Sequence, residues 1–519
     1  MPERLPERLT PLAARHSVRA YYGDIHNHCA LSYGHGTLDS ALKRARLQLD
    51  FVSITGHAHW PDMPVNEPSV AHIVDFHEKG FAKLRAGWSD HFKTLRAHND
   101  DERFVVLPGY EIHSCADGDY TIVYADLVPD ALVLADSPEA LKAALRDKKG
   151  GRAFAFPHHI GYRRGARGIN WDSFDPELSP FVEMFSMHGC AESSQSARGY
   201  LHSMGPVDGA STMAEGLARG ARFGIVGNTD HHSGFPGSYG HGRMAVYGRE
   251  GGREEIWAGL CGRHTNALTG DNTHLLIAVG DAIQGDIAPL STRACLDVEA
   301  VAGGFIDMID IVKNGTLFAR MSPDMNPQPV AGGNGLLETI LTLELGWGAR
   351  GSCHRWEGSV AIEGGRIEAV EPRFRGPEIV SPLEGGDNAH PLPQISTTDD
   401  AVHFAVTAEA NPNNVTPATQ GLALRIVATA DAEVHANLSG ASLRIPIARL
   451  LRGALSGNLG PIDTPAYRFH MLPRAHQWQW RGTCDLGETH DGDTVYARLT
   501  QRDGQMAWSS PIHFRSAGR

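Results

Sequence analysis

Cysteine is scarce in this chain and shows no pairing pattern. The seven residues, at positions 29, 115, 190, 261, 295, 353 and 484 of 519, are odd in number, scattered, and include no CxxC. That argues against a disulfide framework or a zinc ribbon and suits a reducing compartment. No stretch is apolar for long enough to span a bilayer. The opening MPERLPERLTPLAARHS lacks the apolar segment of a secretory signal. Lys/Arg runs are missing too, and the formal net charge is −13. A nucleic-acid footprint needs clustered positive charge, so none is expected. The expectation is a cytoplasmic protein with no membrane or nucleic-acid partner. A Gly-x-Ser-x-Gly elbow is also absent, which weighs against a serine nucleophile. PHHIGYRRG lacks the spacing of a P-loop.

What is present is enough apolar residue for real cores: 41% hydrophobic against 21% charged. The length implies more than one domain. The first half alternates apolar runs with amphipathic segments. The runs are AYYGDI, FVSIT, FVVLPGYEI, TIVYA, AFAFP, FVEMFS and FGIVGN. LDSALKRARLQL and SPEALKAALRDK have helical spacing, and the second begins with a Ser-Pro-Glu start signal. Strand–helix alternation implies a mostly parallel sheet, open or closed into a barrel. After about residue 270 the pattern changes to alternating, β-rich runs. TVYARLTQRDGQMAWSSPIHF reads as a hairpin turning at Asp503-Gly504. RFRGPEIVSPLEGGDNAHPLPQ reads as a long connection. The division expected is an N-terminal extension over 1–19, a unit over 20–270, and a β-rich, sandwich-like domain over 271–519.

Histidine is the informative residue. Nineteen of 28 lie in the first 270 positions, and they fall where the apolar runs stop. His26 and His28 follow YYGDI, and His57 follows FVSIT. Glu111 ends FVVLPGYE. His158 and His159 follow AFAFP, and His188 follows FVEMFS. Asp230, His231 and His232 follow FGIVGN. In a parallel barrel the C-terminal strand ends share one rim, so these residues would converge. Imidazole and carboxylate are the usual ligands of zinc, manganese and iron. In an HxH pair on a strand, both rings point to one face, because the strand period is two.

With these residues in hand, the chain resembles the polymerase and histidinol phosphatase (PHP) superfamily of metal-dependent hydrolases. It is most similar to a large branch carrying a β-rich C-terminal region. The resemblance rests on GDIHNH, LDFVSITGHA, LPGYEI, FPHH, VEMFSMHGCAES, GNTDHHSGFPGS, HTNALTG and RDGQMAWSSPI. It implies a distorted (β/α)7 barrel holding two or three divalent metal ions (Mn, Zn or Fe). His26, His28 and Asp230 would bind the first metal, Glu111 would bridge the first and second, and His158 would bind the second. A third would take His57, His232 and His35. Two departures stand out. The second motif reads Thr55-Gly56-His57, without its usual aspartate. The histidine expected soon after Glu111 is replaced by Asp119 as the candidate ligand, with His113 as its rival.

The function implied is hydrolysis by a metal-bound hydroxide, with phosphoesterase chemistry on an anionic small-molecule substrate. Glu111, His159, His188 and Asp230 are the catalytic candidates. Arg163, Glu192 and Arg243 are the substrate-binding candidates, because arginine grips phosphate or carboxylate with two parallel hydrogen bonds. The alternatives are cleavage of an amide, lactone or other carbonyl compound on the same site, or non-catalytic metal or carbohydrate binding. A homo-oligomer is compatible with the long C-terminal part.

Overall fold

The structure is a computed structural model. It describes residues 10–128, 131–147, 152–200, 204–325, 336–346, 351–377, 391–398, 400–410 and 417–516. Most of the long connection read at 373–394 therefore lies outside the described residues, as does the first half of the 1–19 extension.

The first half contains α1 (Pro11–His16), β1 (Arg19–Asp24), α2 (Leu38–Gln48), β2 (Phe51–Val52), β3 (Thr55–His59), α3 (Ala71–His98), β4 (Val105–Val106), β5 (Gly109–Ile112) and β6 (Tyr120–Tyr124). It continues with α4 (Pro138–Arg146), β7 (Ala153–Pro157), β8 (Phe181–Ser186), β9 (Gly189–Cys190), α5 (Met213–Ala218), β10 (Gly224–Gly227), β11 (Arg243–Gly248), α6 (Arg253–Cys261) and β12 (Thr265–Leu268). All seven apolar runs become strand. FVSIT supplies the broken pair β2 and β3, and FVVLPGYEI supplies β4 and β5.

The helices start where their caps say. Thr37 accepts a hydrogen bond from the Ser40 N–H at 3.1 Å and opens α2. Ser137 accepts from the Ala140 N–H at 3.2 Å, with Pro138 in the first turn of α4. α2 buries Leu38, Ala41, Leu42 and Ala45. They join one core with Leu84, Trp88 and Phe92 of α3 and Tyr110 and Ile112 of β5.

β1, β2 and β4 run parallel, as do β3 with β5 and β8 with β10. The architecture is mixed α/β and rich in sheet. The ladders do not trace the closed (β/α)7 ring that was expected. β6 is antiparallel to both β5 and β7, and β11 is antiparallel to β1. Among the described residues β7 and β8 share no ladder. Chain length accounts for β6. Only residues 113–119 link it to β5, and a parallel crossover needs a dozen residues or more.

The second half is β-rich. Strands His354–Arg373 and Gln420–Leu438 pair antiparallel at the centre of an eight-stranded sheet. Trp356, Val360, Leu424 and Val434 fill its core. The hairpin read at Asp503-Gly504 is present. Thr494–Gln501 pairs antiparallel with Met506–Ser509, and Gly504 takes the left-handed conformation (φ 85°) that favours glycine. Asn266, Ala267 and Leu268 of β12 pair with Ser509, Trp508 and Ala507. The end of the chain thus extends the sheet that holds β1, and hydrogen bonding crosses position 270. Among the described residues no helix is long and apolar enough to cross a membrane.

His513, in strand Ile512–Arg515, is buried against this seam and faces the Phe223 carbonyl at 3.5 Å. Burial, with Arg263, Arg222 and Arg515 nearby, pushes its imidazole down to about 4. The unfolded chain takes up a proton near pH 6.5 that the folded chain refuses until about pH 4. Stability therefore falls as pH drops through that window. His513→Leu should remove about 2 kcal/mol of the loss between about pH 7 and pH 5. Guanidinium chloride unfolding at the two pH values checks this, and an unchanged loss contradicts it.

Candidate metal centre

Five strand ends deliver the centre. His26 and His28 follow β1, and His57 lies on β3. Glu111 lies on β5, His158 and His159 follow β7, and Asp230 follows β10. The parallel register sets His57 directly opposite Glu111. Asp24, fully buried at the end of β1, fastens two of these loops together. Its carboxylate accepts from the Thr229 hydroxyl at 2.6 Å, the Gly237 N–H at 2.9 Å and the Thr229 N–H at 3.2 Å. The backbone is bent hard here. His159, Asp230 and the nearby Arg167 all have positive φ, at 31°, 52° and 67°. Non-glycine residues rarely adopt that region, and such strain gathers at functional sites.

Imidazole Nε2 atoms converge on three buried carboxylates. On Glu111, His26 and His57 each approach to 3.0 Å, His113 to 2.7 Å, His158 to 3.5 Å and His28 to 3.6 Å. On Asp230, His188 lies at 2.9 Å and His28 at 3.1 Å. On Asp119, His159 lies at 3.3 Å. The opposite ring nitrogens are tied outward. Nδ1 of His26 meets Glu183 at 2.7 Å, that of His57 meets the Ser32 hydroxyl at 2.7 Å, and that of His158 meets the Thr121 hydroxyl at 2.9 Å. His188 Nδ1 meets the Tyr162 hydroxyl at 2.7 Å, and His232 Nδ1 the Asp230 carbonyl at 2.9 Å.

Two of these tethers fix the ring's proton. A carboxylate and a carbonyl only accept, so His26 and His232 carry N–H at Nδ1, and a neutral ring keeps its lone pair at Nε2. His26 Nε2 then faces Glu111 Oε2 at 3.0 Å. Two electron pairs at that distance repel unless a cation or a second proton stands between them. Arg167 gives the contrast. Its guanidinium only donates, so His113 Nδ1 accepts from it at 2.9 Å, and His113 Nε2–H is left to donate to Glu111.

The charge balance has the same sign. Besides Asp24, the carboxylates of Glu111, Asp119, Glu183 and Asp230 are all buried. Arg167, paired with Asp119 and 14% exposed, is the guanidinium that meets them. Burial alone would push the Glu111 carboxyl up, but His57, His28, His158 and the His113 hydrogen bond hold it well below the usual range. Asp230 is likewise driven up by burial and brought well down by His26 and His188. Burial holds His57, His158 and His232 well below an ordinary imidazole, so their lone pairs are open. His26, which burial alone would lower, is held well above by Glu183 and Asp230. A buried site this rich in carboxylate suits a cation.

The donor set fits divalent metal ions. Four groups of ligand atoms lie within 4.8 Å of one another: His26, His28 and Glu111; His28, His57 and His232; His57, Glu111 and His113; and Asp119, His158 and His159. They hold every expected ligand except Asp230 and His35. Asp230 joins by its contacts with His26 and His28. His35 reaches the centre through its backbone, donating its N–H to the His232 carbonyl at 2.7 Å, and its ring is in none of the four groups. Tyr33 of the same segment stacks on His57 instead, with centroids 3.5 Å apart.

The substrate-binding candidates separate. Arg163 is exposed on the 161–168 loop. Arg243 is fully buried and holds the Gly237 carbonyl at 2.8 Å and the Gln48 side chain at 2.9 Å, behind the Asp230 loop. Glu192 is buried against Arg498, the Tyr496 hydroxyl and the Trp508 indole, at 2.9, 2.7 and 2.9 Å. Both sit where the sheet is stitched together, away from the four donor groups. The residues that reading motifs alone missed are Arg167, Glu183, Tyr33 and Trp60. Arg167 lies in the glycine-rich basic loop, four residues past Arg163, and stacks over the Trp60 ring at 5.1 Å. Glu183 was in view inside FVEMFS, but an acidic residue in an apolar run does not announce its partner.

No protein-family model matches the chain. A stretch of 179 residues is 25% identical to an uncharacterized protein of Chlamydia pneumoniae, covering 31% of this chain and 28% of that protein. The match thus spans less than a third of that relative's length. Among solved structures, similarity extends to a two-domain protein of Bacteroides vulgatus containing a predicted PHP-like metal-dependent phosphoesterase. The TM-score is 0.33 and the identity 14%, over 62% of this chain and 86% of that one. PsfC from Pseudomonas syringae gives a TM-score of 0.28 and 17% identity, over 44% of this chain and 82% of that one. Likenesses this distant carry no weight for function, which rests on the geometry of the centre.

Glu192→Ala should leave the Tyr496 hydroxyl and the Trp508 indole N–H without their buried acceptor, while Arg498 keeps Asp310, and lower stability by about 1–3 kcal/mol. Metal content of the folded protein should not change. Denaturant unfolding and elemental analysis check the two parts, and loss of metal from a stable variant would return Glu192 to the centre.

Proposed function

We propose that the chain is a metal-dependent hydrolase of the PHP type, acting on a phosphate ester. The observation that carries this reading is His26. It is fixed at Nδ1 by Glu183, and its Nε2 faces Glu111 at 3.0 Å, a contact held by a second proton or by a bound cation, in a buried site rich in carboxylate. We read the shared strand-end rim as a distorted PHP-type barrel, with Glu111 at its centre. His26, His28 and Asp230 would hold one ion and Asp119, His158 and His159 another, with Glu111 between them. His28, His57 and His232 offer a further place.

Bound divalent cations would neutralise the carboxylates, lower the pKa of water and polarise a phosphoryl oxygen. The chain's own groups supply the rest. Arg167 Nε is buried and has no partner among the described residues, which leaves a charged donor for a substrate oxygen. His188, held at Nδ1 by the Tyr162 hydroxyl, meets Asp230 through Nε2 and fixes the orientation of that carboxylate. Tyr33 and Trp60 wall the centre with aromatic surface and keep bulk water out. Glu183 acts from behind by orienting His26, and such outer partners affect metal affinity about 10–100-fold.

Metal-supplemented protein should hold more than one divalent ion per chain, and chelation should abolish hydrolysis of p-nitrophenyl phosphate until manganese, iron or zinc is returned. Glu183→Ala should weaken metal retention about 10–100-fold in competition with a chelator, while Arg167→Ala keeps the metal and raises KM. Activity that survives complete metal removal contradicts the proposal. Hydrolysis of lactones or amides with none of phosphate esters would keep the metal site and overturn the substrate class.

A further inference from the structure

A second site lies away from the metal centre. A cleft of about 550 Å³ opens between the eight-stranded sheet and the Asp503-Gly504 hairpin, with Tyr239 in its floor. That volume is in the range of small-molecule sites, which favour seams between sheets and domains. It is walled by the strands Leu337–Leu345 and Ala466–Phe469 on one side and residues 303–305 and 502–505 on the other.

Its polar groups are fixed rather than floppy. Tyr239 donates its hydroxyl to Asp271 at 2.6 Å, and the guanidinium groups of Arg375 and Arg373 lie 4.8 and 5.4 Å from its ring centroid. Arg373 is 4% exposed and ion-paired to Asp271 at 3.2 Å, yet its Nε has no hydrogen-bond partner among the described residues. Glu344 is clamped by His470 at 3.0 Å and the Thr419 hydroxyl at 2.9 Å. The His470 hydrogen bond holds its carboxyl near 2, so it accepts at any ordinary pH. A buried guanidinium with one unsatisfied N–H and a fixed acceptor line the same cleft, which suits a ligand that both donates and accepts.

Charge decides the class of ligand. Arg373 is met by Asp271, and Arg502 is paired with Asp324. On the walls, Arg375 and Arg468 are balanced by Glu344 and Asp503. An anion would meet those two carboxylates, and a cation the two arginines. The flat stacking that a nucleobase wants is obstructed, because guanidinium groups already crowd the Tyr239 ring. Hydroxyl groups both donate and accept, so a polyhydroxylated neutral molecule matches walls of alternating sign. We propose that this cleft is a binding site for a neutral saccharide, independent of the metal centre.

The test uses the full chain, fluorescently labelled, on an array of neutral and acidic oligosaccharides, with free glycan as competitor. At least one neutral glycan should be bound, equally well after metal is removed. Arg468→Ala, at an exposed position on the cleft wall, should weaken that binding about tenfold. Thr342→Trp should abolish it by filling the cleft. Both variants should hydrolyse p-nitrophenyl phosphate like the parent, which also reports that they fold. Binding to no neutral glycan, binding unaffected by either variant, or binding confined to acidic glycans and displaced by inorganic phosphate would each overturn the assignment.

Discussion

The structure turns on the Glu111 carboxylate, buried within reach of five imidazoles. A carboxylate has about four lone-pair sites, so five imidazoles cannot all be satisfied as hydrogen-bond donors to it. His26, fixed at Nδ1 by Glu183, meets it as an imidazolium or through a cation. With Asp119, Glu183 and Asp230 also out of water, the region needs positive charge, and Arg167 and a protonated His26 supply part of it. Only groups pinned from outside can be held in such an arrangement, and the outer layer is built for that. Glu183, Ser32, Thr121, Tyr162 and a backbone carbonyl each hold one ring nitrogen away from the centre.

That rigidity extends across the chain. Asp24 fastens the loops after β1 and β10, and Arg243 braces the second loop from behind. The final strands then close the sheet beside β12 and clamp Glu192 through Arg498, Tyr496 and Trp508. The centre is thus supported by residues at both ends of the sequence. This explains why hydrogen bonding ignores the boundary that composition suggests near 270.

Much of this was legible in the sequence, for physical reasons. Apolar runs of five to nine residues bounded by polar segments have few options but to become strands, and all seven contain one. His26 and His28 are found together, but past the end of β1 and not on it, so the strand period is not what pairs them. The departure from the expected ring of strands was not legible, because strand direction depends on connection length, and the 113–119 link is too short for a parallel crossover to β6. Partners contributed by other strands were also hidden. Glu183 acquires its role only because β8 lies against the loop after β1. Arg163 and Arg167 look equivalent in GYRRGARG, but the positive φ at Arg167 is what turns one toward Asp119. Arg243 and Glu192 were read as ligands for substrate because sequence shows charge and not burial.

Anomalous diffraction at the manganese edge, from crystals grown with manganese, addresses the central claim most directly. The account predicts peaks beside Glu111, within bonding distance of Nε2 of His26 and of His158, with His26 Nδ1 still on Glu183. No peak in that region, with His26 Nε2 hydrogen-bonded directly to Glu111 in fully loaded crystals, would contradict it.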